Sequence, residues 1–129
     1  MVAEQRKYTR YAALDNAFAA LEPGFTKVGK IKDISVLGLA FEYITDEVAD
    51  IEVSKVDIFL RGEDFFISKI PCKVVYDIPL ETSGANQPPN GLMHKRCGLQ
   101  FESLSNTGRF MIEQFMEAHT TGLAHKQSS

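Results

Sequence analysis

Apolar residues in this chain recur with a period of two over short stretches, and turn signals separate those stretches. Leu39, Phe41 and Tyr43 share one face of Gly38–Ile44, and Val56, Ile58 and Leu60 stand opposite Lys55, Asp57 and Phe59 in Val53–Leu60. Residues two apart on a strand point to the same side, so each stretch offers one apolar face to a core. Pro23-Gly24 marks a turn into a strand near Phe25–Ile34. The alanines of the preceding Tyr11–Leu21 suit a helix, but no helical stop follows, and we read a strand there. Arg61-Gly62-Glu63-Asp64 turns into Phe65–Ile78, a run of β-branched and aromatic residues in which Pro71 calls for a bulge or an edge. Polar residues 81–91, with a Pro88-Pro89 pair, form a loop before a returning strand over Leu92–Ser103. Ser105 then opens a helix to about residue 118, with Phe110, Met111, Gln114, Phe115 and Ala118 as one stripe suited to closing a barrel mouth. Five to seven strands and one helix predict a mainly β domain, either a small antiparallel barrel or a sandwich.

At 129 residues the chain is expected to form one domain with a modest core. No apolar run is long enough to span a membrane, and the start, Met-Val-Ala-Glu-Gln-Arg, lacks an apolar signal core. The expectation is a cytoplasmic protein without membrane insertion. Cys72 and Cys97 show no CxxC spacing and read as buried thiols on strands rather than a disulfide. The net charge of -3 gives no sign of nucleic-acid binding. Its distribution is more informative: residues 1–32 carry a net +3 and the remainder -6. A small dianion needs only a local positive pocket, whereas a duplex needs a broad basic face.

Two motifs lie in or beside that positive stretch. Arg6-Lys7-Tyr8-Thr9-Arg10 reads as RxxxR, and Asp33-Ile34-Ser35-Val36-Leu37-Gly38 reads as DxSxxG. Each has a bland interpretation alone: two solvated arginines near an N-terminus, and a strand-end turn in which Asp and Ser bond local backbone. Together they supply two guanidinium forks, a carboxylate, a hydroxyl and a glycine, which suits a ligand carrying phosphates and guanine edges. An arginine fork matches guanine O6 and N7 or two phosphate oxygens, and the guanidinium plane can stack on a base. A carboxylate accepts from guanine N1–H and N2–H. On a continuing strand Asp33 and Ser35 would face the same side.

The ordered pair resembles the PilZ domain, a bacterial receptor family for cyclic di-GMP. Gly38-Leu39-Ala40-Phe41 and Cys97-Gly98-Leu99-Gln100-Phe101 extend the resemblance from about Arg6 to about His119. It implies a six-stranded antiparallel split β-barrel with a C-terminal α-helix. The expected organisation is a flexible arm over 1–12 carrying RxxxR, a barrel domain over 11–119, and a disordered tail over 120–129. It also implies that Arg6, Arg10, Asp33, Ser35 and Gly38 bind cyclic di-GMP; beside these, Lys7 inside the first motif and Arg96 on the last strand are auxiliary candidates. Gly38 would let backbone approach the ligand. Leu37 departs from the family by standing where many members carry a second glycine.

The implied mode of action is ordering of the arm over the DxSxxG face. That change would alter a surface read by a downstream protein in motility, adhesion or biofilm control, with the chain monomeric or dimeric. An adaptor that works without nucleotide is the alternative. Enzymatic motifs are lacking: His94, His119 and His125 are scattered surface or tail residues, and neither GxSxG nor GxxxxGK[ST] occurs. No catalytic residue, metal site or cofactor is therefore expected.

Overall fold

The computed structural model describes residues 9–22, 27–45, 55–80 and 91–123, with residues 121–123 described by backbone alone. The chain runs through β1 (Tyr11–Ala13), β2 (Ala17–Glu22), β3 (Lys27–Ile34), β4 (Gly38–Thr45), β5 (Lys55–Leu60), β6 (Phe66–Pro79), β7 (Met93–Phe101), α1 (Asn106–Ala118) and β8 (Thr120–Leu123). Strands β2, β5, β6, β7, β4 and β3 are neighbours in that order, and β3 returns to pair with β2. All these ladders are antiparallel, so six strands close a barrel. Closure removes the free edges that a sandwich would leave, and decides between the two architectures that alternation left open.

Two strands change partners along their length. The first half of β3 pairs with β2, and its end pairs with β1, which in turn carries β8. β6 pairs with β5 as far as Pro71 and with β7 from Cys72 onward. Pro71, which has no N–H to donate, sits at that changeover, two residues after a bulge where Lys69 adopts φ 57°. The buried Asp57 carboxylate accepts from the Lys69 N–H at 2.8 Å and holds the bulge.

The core carries the predicted alternation: Leu39, Phe41, Tyr43, Val56, Ile58 and Leu60 are all buried. Cys72 and Cys97 are free and buried, as expected, and burial pushes each thiol pKa up to about 12. α1 begins at an N-cap, Ser105, whose hydroxyl accepts from the Gly108 N–H at 2.9 Å. The helix does close one barrel mouth, but through Ile112 and Phe115; Phe110, assigned to the apolar stripe, faces solvent. His119 is not a surface residue either. Its ring packs on Phe65 and Phe115 at 5.3 and 5.5 Å.

The C-terminal boundary moves: residues 120–123, expected in a disordered tail, form β8 against β1, whereas the first strand starts at Tyr11, in the overlap of the expected arm and barrel. Residues 1–8 and 124–129 lie outside the described residues. No helix among the described residues is long and apolar enough to cross a membrane.

Candidate functional site

Strand β3 builds the site by breaking its own alternation. Lys27, Gly29 and Ile31 are buried, while Val28 and Lys32 are exposed. Continuing that rhythm would send Asp33 into the core beside Ile31. The ladder with β4 slips instead: Ile31 pairs with Phe41, but Asp33 pairs with Ala40. Lys32 is the extra residue of this bulge. It turns Asp33 to the outer face and returns Ile34 to the core opposite Leu39. On that outer face β4 contributes Glu42, β7 contributes Arg96 and Gly98, and β6 contributes Tyr76.

Pairing of β1 with β3 then brings the arginine to the carboxylate. Ala12 stands opposite Asp33, so Arg10 reaches it from just outside the strand. Arg10 Nε donates to Asp33 Oδ1 at 2.6 Å, and its Nη2 approaches the same oxygen. Arg96 Nη2 donates to the other oxygen, Oδ2, at 3.0 Å. Arg96 also donates through Nη1 to Glu42 Oε2 at 3.2 Å and through Nε to the Tyr76 hydroxyl at 3.4 Å. Glu42 Oε1 lies 3.3 Å from His94 Nε2. Burial alone would lower the Arg96 pKa, but the Tyr76 hydrogen bond and the Asp33 and Glu42 carboxylates raise it above its ordinary value. Asp33 is thus clasped between two charged guanidinium groups.

Beside the clasp lies an open hollow of about 470 Å³. Arg10, Asp33, Leu37 and Gly38 line one side, and Tyr76, Gly98 and Gln100 the other. That volume falls within the range of small-molecule sites.

The remaining motif residues have different tasks. Strand β3 ends at Ile34, so strand alternation does not extend to Ser35. Ser35 is 1% exposed, and its hydroxyl accepts from the Leu37 N–H at 3.0 Å. Its own N–H donates to the Gly38 carbonyl, closing a two-residue turn over Val36 and Leu37. Gly38 opens β4 and lines the hollow, but the close approach it permits is to β7. A Cβ there would stand 2.0 Å from the Leu99 carbonyl oxygen. Its backbone is not left-handed, and neither is that of Leu37, so leucine in place of a second glycine introduces no strain. Arg6 and Lys7 lie outside the described residues.

Of the auxiliaries, Arg96 proves central to the cluster. Glu42 and Tyr76 belong to no motif and were not singled out by sequence. Glu42, four residues after Gly38, was legible only as an outward position on β4. Tyr76 was legible only as one aromatic in a run of β-branched and aromatic residues. Among the described residues, no group of three His, Cys, Asp or Glu side chains is placed to hold a metal ion.

A closed six-stranded antiparallel barrel with a C-terminal helix is the fold of PilZ domains. The PilZ domain of YcgR from Escherichia coli, solved with c-di-GMP, superposes with a TM-score of 0.65 at 12% identity, over 88% of this chain and 90% of that one. The YcgR–c-di-GMP complex matches with a TM-score of 0.61 at 12% identity, over 88% of this chain and 45% of that one. MrkH, described as a c-di-GMP-dependent transcription regulatory factor, gives a TM-score of 0.53 at 18% identity, over 87% and 46%. The chain thus spans less than half the length of the YcgR complex and MrkH chains and most of the isolated PilZ domain. No protein-family model and no curated protein matches the sequence.

Proposed function

We propose that this chain is a receptor for cyclic di-GMP that acts by binding rather than catalysis. The observation that carries this reading is the Asp33 carboxylate, presented on an outer sheet face at the rim of a hollow with an arginine on each oxygen. Both solved YcgR structures hold c-di-GMP on this fold. In the free protein the Arg10 fork is engaged by Asp33. On binding, Arg10 turns to a guanine Hoogsteen edge or a phosphate, where two parallel hydrogen bonds replace the ion pair. Arg96 stays on Oδ2 and keeps the carboxylate aimed, leaving Oδ1 to accept from guanine N1–H or N2–H. Arg6 supplies the second fork and Lys7 an additional charge. Ser35 and Gly38 hold the hairpin that forms one wall.

The output follows from the arm. Releasing Arg10 from Asp33 and ordering the RxxxR loop over the DxSxxG face changes the outer surface, which a downstream protein reads in the cytoplasm of a bacterium. Motility, adhesion or biofilm control is the process that this mode of action suits. Calorimetric titration with cyclic di-GMP, beside GTP and cyclic di-AMP, tests the reading: heat is expected with cyclic di-GMP alone. Absence of both heat and thermal-shift stabilisation at high micromolar ligand would remove it.

A second reading is a nucleotide-independent adaptor. It draws on one fact: both Asp33 oxygens are already satisfied within the protein, as in a purely structural clasp. The same titration separates the two, because an adaptor gives no signal with any of the three nucleotides.

A further inference from the structure

Tyr76 is fixed at the hollow by three separate devices. The ladder between β6 and β7 slips so that Val74 pairs with Leu99 but Tyr76 pairs with Gly98. Val75 is therefore an extra residue, and this bulge turns Tyr76 to the outer face, as the bulge in β3 turns Asp33. The two strands flank the β7–β4 pair, so both bulges aim their side chains at the same surface. Gly98 supplies the second device. A Cβ there would stand 2.2 Å from Tyr76 Cε2, so the ring lies against the β7 backbone where only glycine leaves room. The third is Arg96, which donates to the Tyr76 hydroxyl and to Asp33 at once. Despite this anchoring, Tyr76 remains 36% exposed. A ring whose position is so fully specified, yet left partly bare beside the clasped carboxylate, is organised for contact with something outside the chain.

We infer that Tyr76 is the platform on which one guanine of the ligand stacks, while Asp33 and Arg10 engage that base's edge. The inference rests on the receptor reading and adds the residue that holds the base. Stacking on an aromatic ring tolerates any base, so Tyr76 supplies affinity and the Asp33 edge contact supplies the choice of guanine. Tyr76→Ala should weaken cyclic di-GMP binding about tenfold or more. Tyr76→Phe keeps the ring, loses only the Arg96 bond, and should bind within about threefold of the parent. The chain has no tryptophan, so Tyr76→Trp places a single tryptophan at the platform, and its emission, excited selectively, should be quenched as cyclic di-GMP saturates the site. Thermal melting of the free Tyr76→Ala variant checks that it folds; where it does not, the Tyr76→Trp emission decides. Parent-like affinity of a folded Tyr76→Ala variant, or unchanged Tyr76→Trp emission at calorimetric saturation, overturns the platform while leaving the receptor intact. A parent protein that binds no cyclic di-GMP removes both.

Discussion

The two arginines on Asp33 are not equivalent. Arg10 touches only this carboxylate among the described contacts, and its side chain is 39% exposed. Arg96 holds Asp33, Glu42 and Tyr76 together across three strands. Arg10→Ala should therefore cost the free protein no more than about 1 kcal/mol, since Arg96 still satisfies the carboxylate. Its effect should fall on ligand affinity, and Arg10→Lys should lose nearly as much because the fork is gone. Arg96→Ala strips three groups of a partner and should cost roughly 1–3 kcal/mol in urea unfolding of the free protein. Equal stability losses in the two variants would contradict this division of labour. Gly38 separates fold from ligand in the same way. Its missing Cβ makes room for the Leu99 carbonyl, which belongs to the backbone and cannot swing aside. Gly38→Ala should lower the free protein's stability by about 2 kcal/mol or more, visible as a melting temperature several degrees lower. Unchanged melting with lost binding would return Gly38 to a ligand-contact role.

At the level of elements, what sequence revealed and what it hid divide along the bulges. Where alternation is unbroken, as in Leu39-Phe41-Tyr43 and Val56-Ile58-Leu60, inward and outward positions were legible because period two is a local property. Asp33 and Tyr76 were not, because each lies just past a slip in register that only the partner strand defines. The motifs gave Asp33 its importance and left its orientation to Lys32. Arg96 was legible as an auxiliary on the last strand but not as a partner of Asp33, since their meeting spans β7, β4 and β3. Barrel closure was hidden for a similar reason: β3 pairs with β2 through one half and with β1 through the other. The helix start, by contrast, is written locally in Ser105, whereas the expected stripe includes Phe115 correctly but takes in exposed Phe110 and misses buried Ile112. Ser105→Ala should cost about 1 kcal/mol by exposing an unsatisfied N–H in the first turn. Neither Ser105 nor any residue of α1 lines the hollow, so cyclic di-GMP affinity per folded molecule should not change; an affinity loss would show that α1 communicates with the site.

As a whole, the barrel is closed by opposite chemistries at its two ends. Phe101, where β7 ends near α1, lies on the mouth that Ile112 and Phe115 fill with apolar side chains. Lys95, near the other end of β7, joins a polar plug instead: Lys27 Nζ donates to Asp77 Oδ2 at 2.9 Å, Lys95 Nζ lies 3.4 Å from the same oxygen, and the Tyr43 hydroxyl donates at 2.8 Å. Lys27 is only 7% exposed, and Asp77 is the carboxylate that its ammonium meets. Burial by itself would raise the Asp77 pKa. Hydrogen bonds from Lys27 and Tyr43 and the charges of Lys27 and Lys95 outweigh it and set the pKa below the ordinary carboxylate value. A depressed pKa stabilises the fold in full above the unfolded-chain value, near about 3.9, and that contribution fades as pH falls through the lower folded value. Asp77→Asn should accordingly be less stable than the parent at neutral pH, where buried Lys27 loses its counter-charge. The gap should narrow below about pH 4, as Asp77 in the parent takes up its proton. Urea unfolding of both proteins between pH 7 and pH 3 measures that gap directly. A gap independent of pH would mean that the plug contributes by packing alone, and that its ion pairs leave the folding equilibrium unchanged.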